Sequence, residues 1–120
     1  MKGYLYIAIT LLFTVYGQLI LKWRINYLGP FPETRKEQWI YLGKSLLDPY
    51  VLSSFAAAFI ASLAWIAALT KFDLSFAYPF MSLSFAFVLI FSYFLFNEPI
   101  TVNKIIGLVF IIVGLYFASK

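Results

Sequence analysis

The 120-residue sequence contains no cysteine and no histidine. The first absence rules out disulfides and thiolate chemistry, the second an imidazole base, and together they remove most zinc and haem sites. Charge is also scarce: 12% of residues are charged, and no Asp or Glu stands in the middle of a long apolar run. Paired carboxylates, a nucleophile beside a base and metal-ligand clusters are all missing, so no enzyme, cofactor or metal is expected. The net charge of +4 comes from nine basic residues scattered between apolar stretches with no basic run. That is the pattern of membrane topology signals, and nucleic acid is not an expected partner.

What is abundant is apolar surface. At 63% hydrophobic and 22% aromatic, the chain carries more of it than a soluble domain of this length buries, and its solvent is expected to be lipid. An all-α membrane protein follows, one domain over residues 1–120 with four transmembrane helices at about 3–23, 49–70, 74–96 and 102–118. Lys2 followed by an apolar run imitates a signal peptide, but no small-residue cleavage site ends the run, so a retained helix is expected. The first span is read as closing at Lys22-Trp23-Arg24. Residues 25–48 form the one sizeable polar segment, broken by Gly29-Pro30-Phe31-Pro32. Its second half, Trp39 to Leu47, reads equally as a short interfacial helix or as an early extension of the next span.

Asp48-Pro49 supplies a helix cap and a proline at the first helical position for the second span. Lys71, Phe72 and Asp73 make a tight turn. The third span stops at Asn97-Glu98-Pro99, because proline disfavours helix in the residue before it, and Thr101 caps the fourth. Small residues at helical spacing let membrane helices approach closely. Ala57, Ala61, Ala64 and Ala68 form such a face on the second span; Gly107 and Gly114 are candidates on the fourth. Both sets fit packing within one bundle, and the fourth-span glycines also fit a dimer contact. Lys2, Lys71 and Lys120 stand on one side of the membrane, and Lys22, Arg24, Arg35, Lys36, Lys44 and Lys104 on the other. Positive-inside logic then puts both termini outside the cytoplasm.

Polar groups inside spans are costly in hydrocarbon and therefore informative. Thr14, Gln18 and Lys22 recur every four residues and share one face of the first span. Lys22 fits either a snorkelling side chain or a cationic anchor for a phosphate, with Gln18 one turn deeper and Arg24 at the mouth. On the third span Ser75, Tyr78 and Ser82 share a face beside Pro79, whose ring opens the backbone ladder. They fit a cavity lining or interhelical hydrogen bonds, and Trp65 fits packing or an aromatic wall. Glu98 is expected as an interfacial carboxylate paired with Lys104 or Arg24.

These residues together resemble the drug/metabolite transporter superfamily, in its EamA-like, four-span branch related to the small multidrug resistance proteins. The resemblance covers nearly the whole chain. It rests on Gly17-Gln18 with Lys22, on Leu74-Ser75-Phe76-Ala77-Tyr78-Pro79 leading into Ser82-Leu83-Ser84, on Glu98-Pro99, and on Gly107 through Gly114. Where the drug exporters of this group carry a cation-binding glutamate, this sequence has Thr14. It is more similar to the small subunits that flip aminoarabinose linked to undecaprenyl phosphate across the bacterial inner membrane. The resemblance implies a flippase for a polyprenyl-phosphate-linked sugar, in the bacterial or archaeal cytoplasmic membrane. It further implies a dimer with itself or with a similar small subunit, and phosphate and headgroup contacts from Lys22, Gln18, Tyr78 and Ser82. A small-solute or cation exporter and a non-transporting accessory subunit are the alternatives.

Overall fold

The computed structural model describes residues 2–120, with side chains from residue 3 onward; the Lys2 side chain, counted above as a topology charge, lies outside that description. The described residues form helices α1 (Lys2–Leu28), α2 (Arg35–Leu46), α3 (Pro49–Leu69), α4 (Leu74–Ala77), a 3-10 turn (Tyr78–Ser82), α5 (Leu83–Phe96) and α6 (Val102–Ala118). The protein is an all-α, multi-pass membrane protein. Three stretches, Gly3–Leu28, Pro49–Leu69 and Leu74–Phe96, are long and apolar enough to cross a bilayer, and Val102–Ala118 is a shorter apolar helix. Its 17 residues reach about 25 Å, near the lower limit for spanning a hydrocarbon core.

The helix boundaries follow local chemistry. α1 does not close at the Lys22-Trp23-Arg24 cluster; it continues to Leu28, because nothing in those side chains interrupts the backbone ladder. Gly29 ends it, with φ of 96° and its N–H donating to the Ile25 carbonyl at 3.2 Å, a left-handed terminus suited to glycine. The polar segment is correspondingly shorter than expected and holds a separate helix. Thr34 caps α2 by accepting from the Glu37 N–H at 3.4 Å. Asp48 caps α3, its Oδ1 accepting from the N–H groups of Tyr50 at 2.9 Å and Val51 at 3.3 Å, with Pro49 at the first helical position.

The third apolar stretch is interrupted. Pro79 lacks an N–H, so the α-helical ladder gives way to a 3-10 turn over Tyr78–Ser82 before α5 resumes. Asn97 closes α5 in the left-handed conformation, φ 56°, and the Thr101 hydroxyl accepts from the Lys104 N–H at 3.2 Å to open α6.

The closest packing is between α1 and α3. Val51, Ser54, Ala57, Ala61, Ala64 and Ala68 of α3 are buried. Gly17 of α1 sits so near α3 that a Cβ added to it would come 3.2 Å from the Ser54 carbonyl oxygen. Ile7, Leu11, Ala68 and Ala77 form the core at the opposite end from the loop carrying α2, covered by Trp65, Phe72, Phe80 and Met81. α6 lies at the edge, beside α5 and the 3-10 turn, and none of its residues is buried. Gly107 and Gly114 have no atom within 4 Å of an added Cβ. Packing within one bundle through these two glycines is therefore corrected: α6 reaches its neighbours by other residues.

Candidate functional site

Alongside the α1–α3 contact, and including Gly17 and Ala61 in its wall, lies a cavity of about 520 Å³ bordered by α1, α3 and the 3-10 turn. Thr10, Phe13, Thr14, Gly17, Gln18 and Leu21 line it from α1; Ser54, Ser62 and Trp65 line it from α3; Tyr78 and Met81 belong to the 3-10 turn. The α1 set is the face generated by the four-residue recurrence of polar side chains. The break at Pro79 brings Tyr78 to the same space. Trp65 and Tyr78 meet edge to face, ring centroids 6.2 Å apart and planes at 72°, a favourable aromatic geometry that makes one wall.

Its hydroxyls divide into two kinds. Thr10 donates to the Tyr6 carbonyl at 2.8 Å, Ser54 to Val51 at 2.6 Å and Ser62 to Ala58 at 3.0 Å. Their protons are committed to their own helices, and only their oxygen lone pairs remain for a bound molecule. Thr14, Gln18 and the Tyr78 hydroxyl have no hydrogen-bond partner among the described residues, so their donors are free to meet an acceptor. The cavity offers both donors and acceptors and has no charged side chain in its lining. It suits a polyhydroxylated headgroup better than a ligand whose binding rests on a cation, which would call for a carboxylate.

Lys22 is exposed and lies outside the lining, one turn beyond Gln18 on the same face, about 6 Å along the helix axis. Arg24 is placed differently. Its Nε donates to Asp48 Oδ2 at 2.7 Å, with the two side chains 17% and 9% exposed. The guanidinium lies 4.2 Å from the Tyr27 ring centre and 4.8 Å from that of Tyr50. Burial pushes the Asp48 carboxyl up, but the Arg24 hydrogen bond and the Val51 and Tyr50 amides outweigh it and hold the group below its ordinary 3.8. Arg24 is thereby fixed to the start of α3 rather than presented to the cavity.

Ser82 is also outside the cavity lining; its hydroxyl donates to the Pro79 carbonyl at 2.6 Å. The expected ion pair of Glu98 with Lys104 or Arg24 is corrected. Arg24 is taken by Asp48, and Lys104 Nζ donates instead to the Pro99 carbonyl at 3.0 Å. Glu98 and Lys104 face a separate small cavity of about 130 Å³ with Ser92, Phe85 and Val88, which shares no residue with the first. Among the described residues no group of acidic side chains is placed to hold a metal ion.

Sequence reasoning missed Thr10, Ser54 and Ser62. Thr10 is the preceding member of the Thr14, Gln18, Lys22 series and was within reach of the same periodicity. Ser54 and Ser62 gave no comparable signal, since serine in an apolar span reads as packing.

Comparison with known proteins gives a consistent set of relatives. The model of the EamA-like transporter family matches residues 1–120. The chain is 32% identical over 125 residues to the probable 4-amino-4-deoxy-L-arabinose-phosphoundecaprenol flippase subunit ArnF of Photorhabdus laumondii, covering 100% of this chain and 98% of that protein. It is 32% identical over 116 residues to the ArnF subunit of Aeromonas hydrophila, with 95% and 77% covered. It is also 30% identical over 125 residues to the probable ArnE subunit of Serratia proteamaculans, with 98% and 95% covered. No solved structure matches.

Proposed function

Because the chain belongs to the EamA-like transporter family, we propose that it moves a polyprenyl-phosphate-linked sugar across a bacterial cytoplasmic membrane, without a catalytic step of its own. The observation that carries this reading is the uncharged cavity between α1 and α3, with Thr14, Gln18 and Tyr78 holding free donors inside it and Lys22 one turn beyond. A sugar headgroup meets hydroxyl and amide partners in the cavity. Lys22 neutralises the phosphate at its edge, and the polyprenyl chain stays in lipid. The probable flippase function of the ArnF and ArnE relatives supports the same class of substrate.

In this reading the four apolar helices act as one transmembrane unit, with the end carrying Lys22 and Lys104 on the cytoplasmic side. The cavity is half-open in the single chain, and Gln18 and Tyr78 are exposed. Polar groups turned towards hydrocarbon are costly, so a second small subunit, identical or related, covers that side and completes the path. The relatives' naming as flippase subunits agrees with a two-chain unit.

The test is native mass spectrometry of the detergent-purified protein with undecaprenyl phosphate and with phosphatidylglycerol, comparing the unaltered chain with Lys22→Ala. Selective retention of undecaprenyl phosphate that falls about ten- to hundredfold in the variant, the range for losing a charge-assisted hydrogen bond, is the expected result. Equal retention of both lipids by the unaltered chain refutes the substrate class. Selective retention that Lys22→Ala leaves intact refutes the phosphate role of Lys22.

A further inference from the structure

Among the described residues α2 is the one helix longer than a single turn that neither spans the bilayer nor lines the cavity, and its flanks are unlike. At about 100° per residue, Gln38, Tyr41 and Ser45 fall on one flank. That flank is tied to its own chain. Gln38 Nε2 donates to the Pro32 carbonyl at 2.9 Å, and the Tyr41 hydroxyl donates to the Gly29 carbonyl at 3.0 Å. Ser45 is buried, and the Phe31 ring stands edge-on to Tyr41 at 5.5 Å.

Trp39, Leu42 and Leu46 share a second face, within about 60° of arc. They are 70%, 44% and 51% exposed, so their own chain leaves them bare. Arg35 opens that face one turn before Trp39, Lys36 stands at its border, and Glu37 and Lys44 lie on the side away from it, beside the exposed Ile40. An apolar stripe, an opposing charged face and a tethered flank are the pattern of a helix lying in the plane of a membrane surface.

Position and charge select the occupant of the stripe. α2 starts seven residues after Leu28 and ends three before Pro49, and the Tyr41 bond holds it against the end of α1. It therefore sits at the level where two membrane helices leave the bilayer. Arg35, Lys36 and Lys44 outnumber Glu37 within it. We propose that α2 is an interfacial helix that seats Trp39, Leu42 and Leu46 in the lipid boundary and takes anionic phospholipid headgroups on Arg35 and Lys36. This is independent of what the cavity carries.

The absence of cysteine makes the test direct. Single-cysteine variants Leu42→Cys and Lys44→Cys of the full chain are spin-labelled and reconstituted in vesicles of phosphatidylcholine with phosphatidylglycerol. The two labels are then compared for collision with oxygen, which concentrates in lipid, and with a water-soluble nickel chelate. Position 42 is expected to favour oxygen and position 44 the chelate. A label at 42 that favours the chelate overturns the proposal, as does one shielded from both reagents, which would mean that protein covers the stripe. Headgroup selection is read from the ratio of phosphatidylglycerol to phosphatidylcholine held at the protein boundary. Arg35→Gln and Lys36→Gln are each expected to lower that ratio up to about fivefold at low salt. A ratio near one in the unaltered protein, or one unmoved by both changes together, overturns the anionic assignment.

Discussion

Arg24 and Asp48, 24 residues apart in sequence, join the extended end of α1 to the first turn of α3 through an Nε to Oδ2 contact of 2.7 Å. The same carboxylate caps α3 with its other oxygen. One acidic side chain therefore fixes a helix start and a helix pair together, and it removes Arg24 from the cations open to a ligand. Arg24→Gln is expected to lower the melting temperature of the purified protein while leaving its preference for undecaprenyl phosphate in place. Loss of that preference at unchanged stability would return Arg24 to the binding site.

The clamp also has a pH signature. A carboxyl held below its ordinary 3.8 in the folded protein contributes stability in full above the unfolded value. That contribution is lost as pH falls below 3.8 through the lower folded value. Thermal unfolding from pH 7 to 3 is expected to show a fall in melting temperature at the acid end that is smaller in Asp48→Asn. Asparagine keeps the cap but gives up the titrating group. An identical acid limb in both proteins would remove Asp48 from the account.

Glycine acts differently on the two sides of the molecule. A Cβ on Gly17 meets the Ser54 carbonyl oxygen at 3.2 Å, whereas one on Gly107 meets nothing within 4 Å. Gly17→Ala is expected to destabilise the fold by about 1 kcal/mol, overpacking strain exceeding the helix propensity gained. Gly107→Ala is expected to be neutral or slightly stabilising in the single chain. Equal effects in a denaturation series would mean that α1 and α3 are not held at this distance.

Tyr78 offers a free hydroxyl to the cavity while its ring rests on Trp65. Tyr78→Phe keeps the aromatic wall and deletes one donor. A two- to tenfold loss of affinity for the glycosylated lipid is expected, about 0.5–1.5 kcal/mol for a neutral hydrogen bond. Binding of the unglycosylated undecaprenyl phosphate should change little. Equal losses for both lipids would place the hydroxyl on the phosphate rather than on the sugar.

The parts legible in the sequence are those governed by local chemistry. The periodicity of Thr14 and Gln18 marked the α1 face that borders the cavity, and Pro79 marked the break that carries Tyr78 to it. Asp48-Pro49 and Thr101 signalled their helix starts through capping. What escaped depends on tertiary placement. Lys22-Trp23-Arg24 read as the end of a span, but a helix ends where its backbone conformation changes, and Gly29 provides that change six residues after Trp23. Arg24 finds Asp48 only because the intervening chain folds back. Glu98 and Lys104 stand six residues apart with opposite charge, yet the turn at Pro99 offers Lys104 a nearer carbonyl oxygen.

In the proposed path a lipid-linked sugar crosses the membrane along the Lys22 edge and the α1/α3 cavity. The most direct measurement is transbilayer movement in proteoliposomes of undecaprenyl-phosphate-linked aminoarabinose, followed by access of an impermeant amine reagent to the outer leaflet. The assay uses the unaltered chain, alone and with a related small subunit, beside Lys22→Ala and Gln18→Leu. Movement by the unaltered chain in at least one of these arrangements, with each variant at least tenfold slower at matched reconstitution, is the predicted result. No movement in either arrangement, or variants as fast as the unaltered chain, contradicts the account.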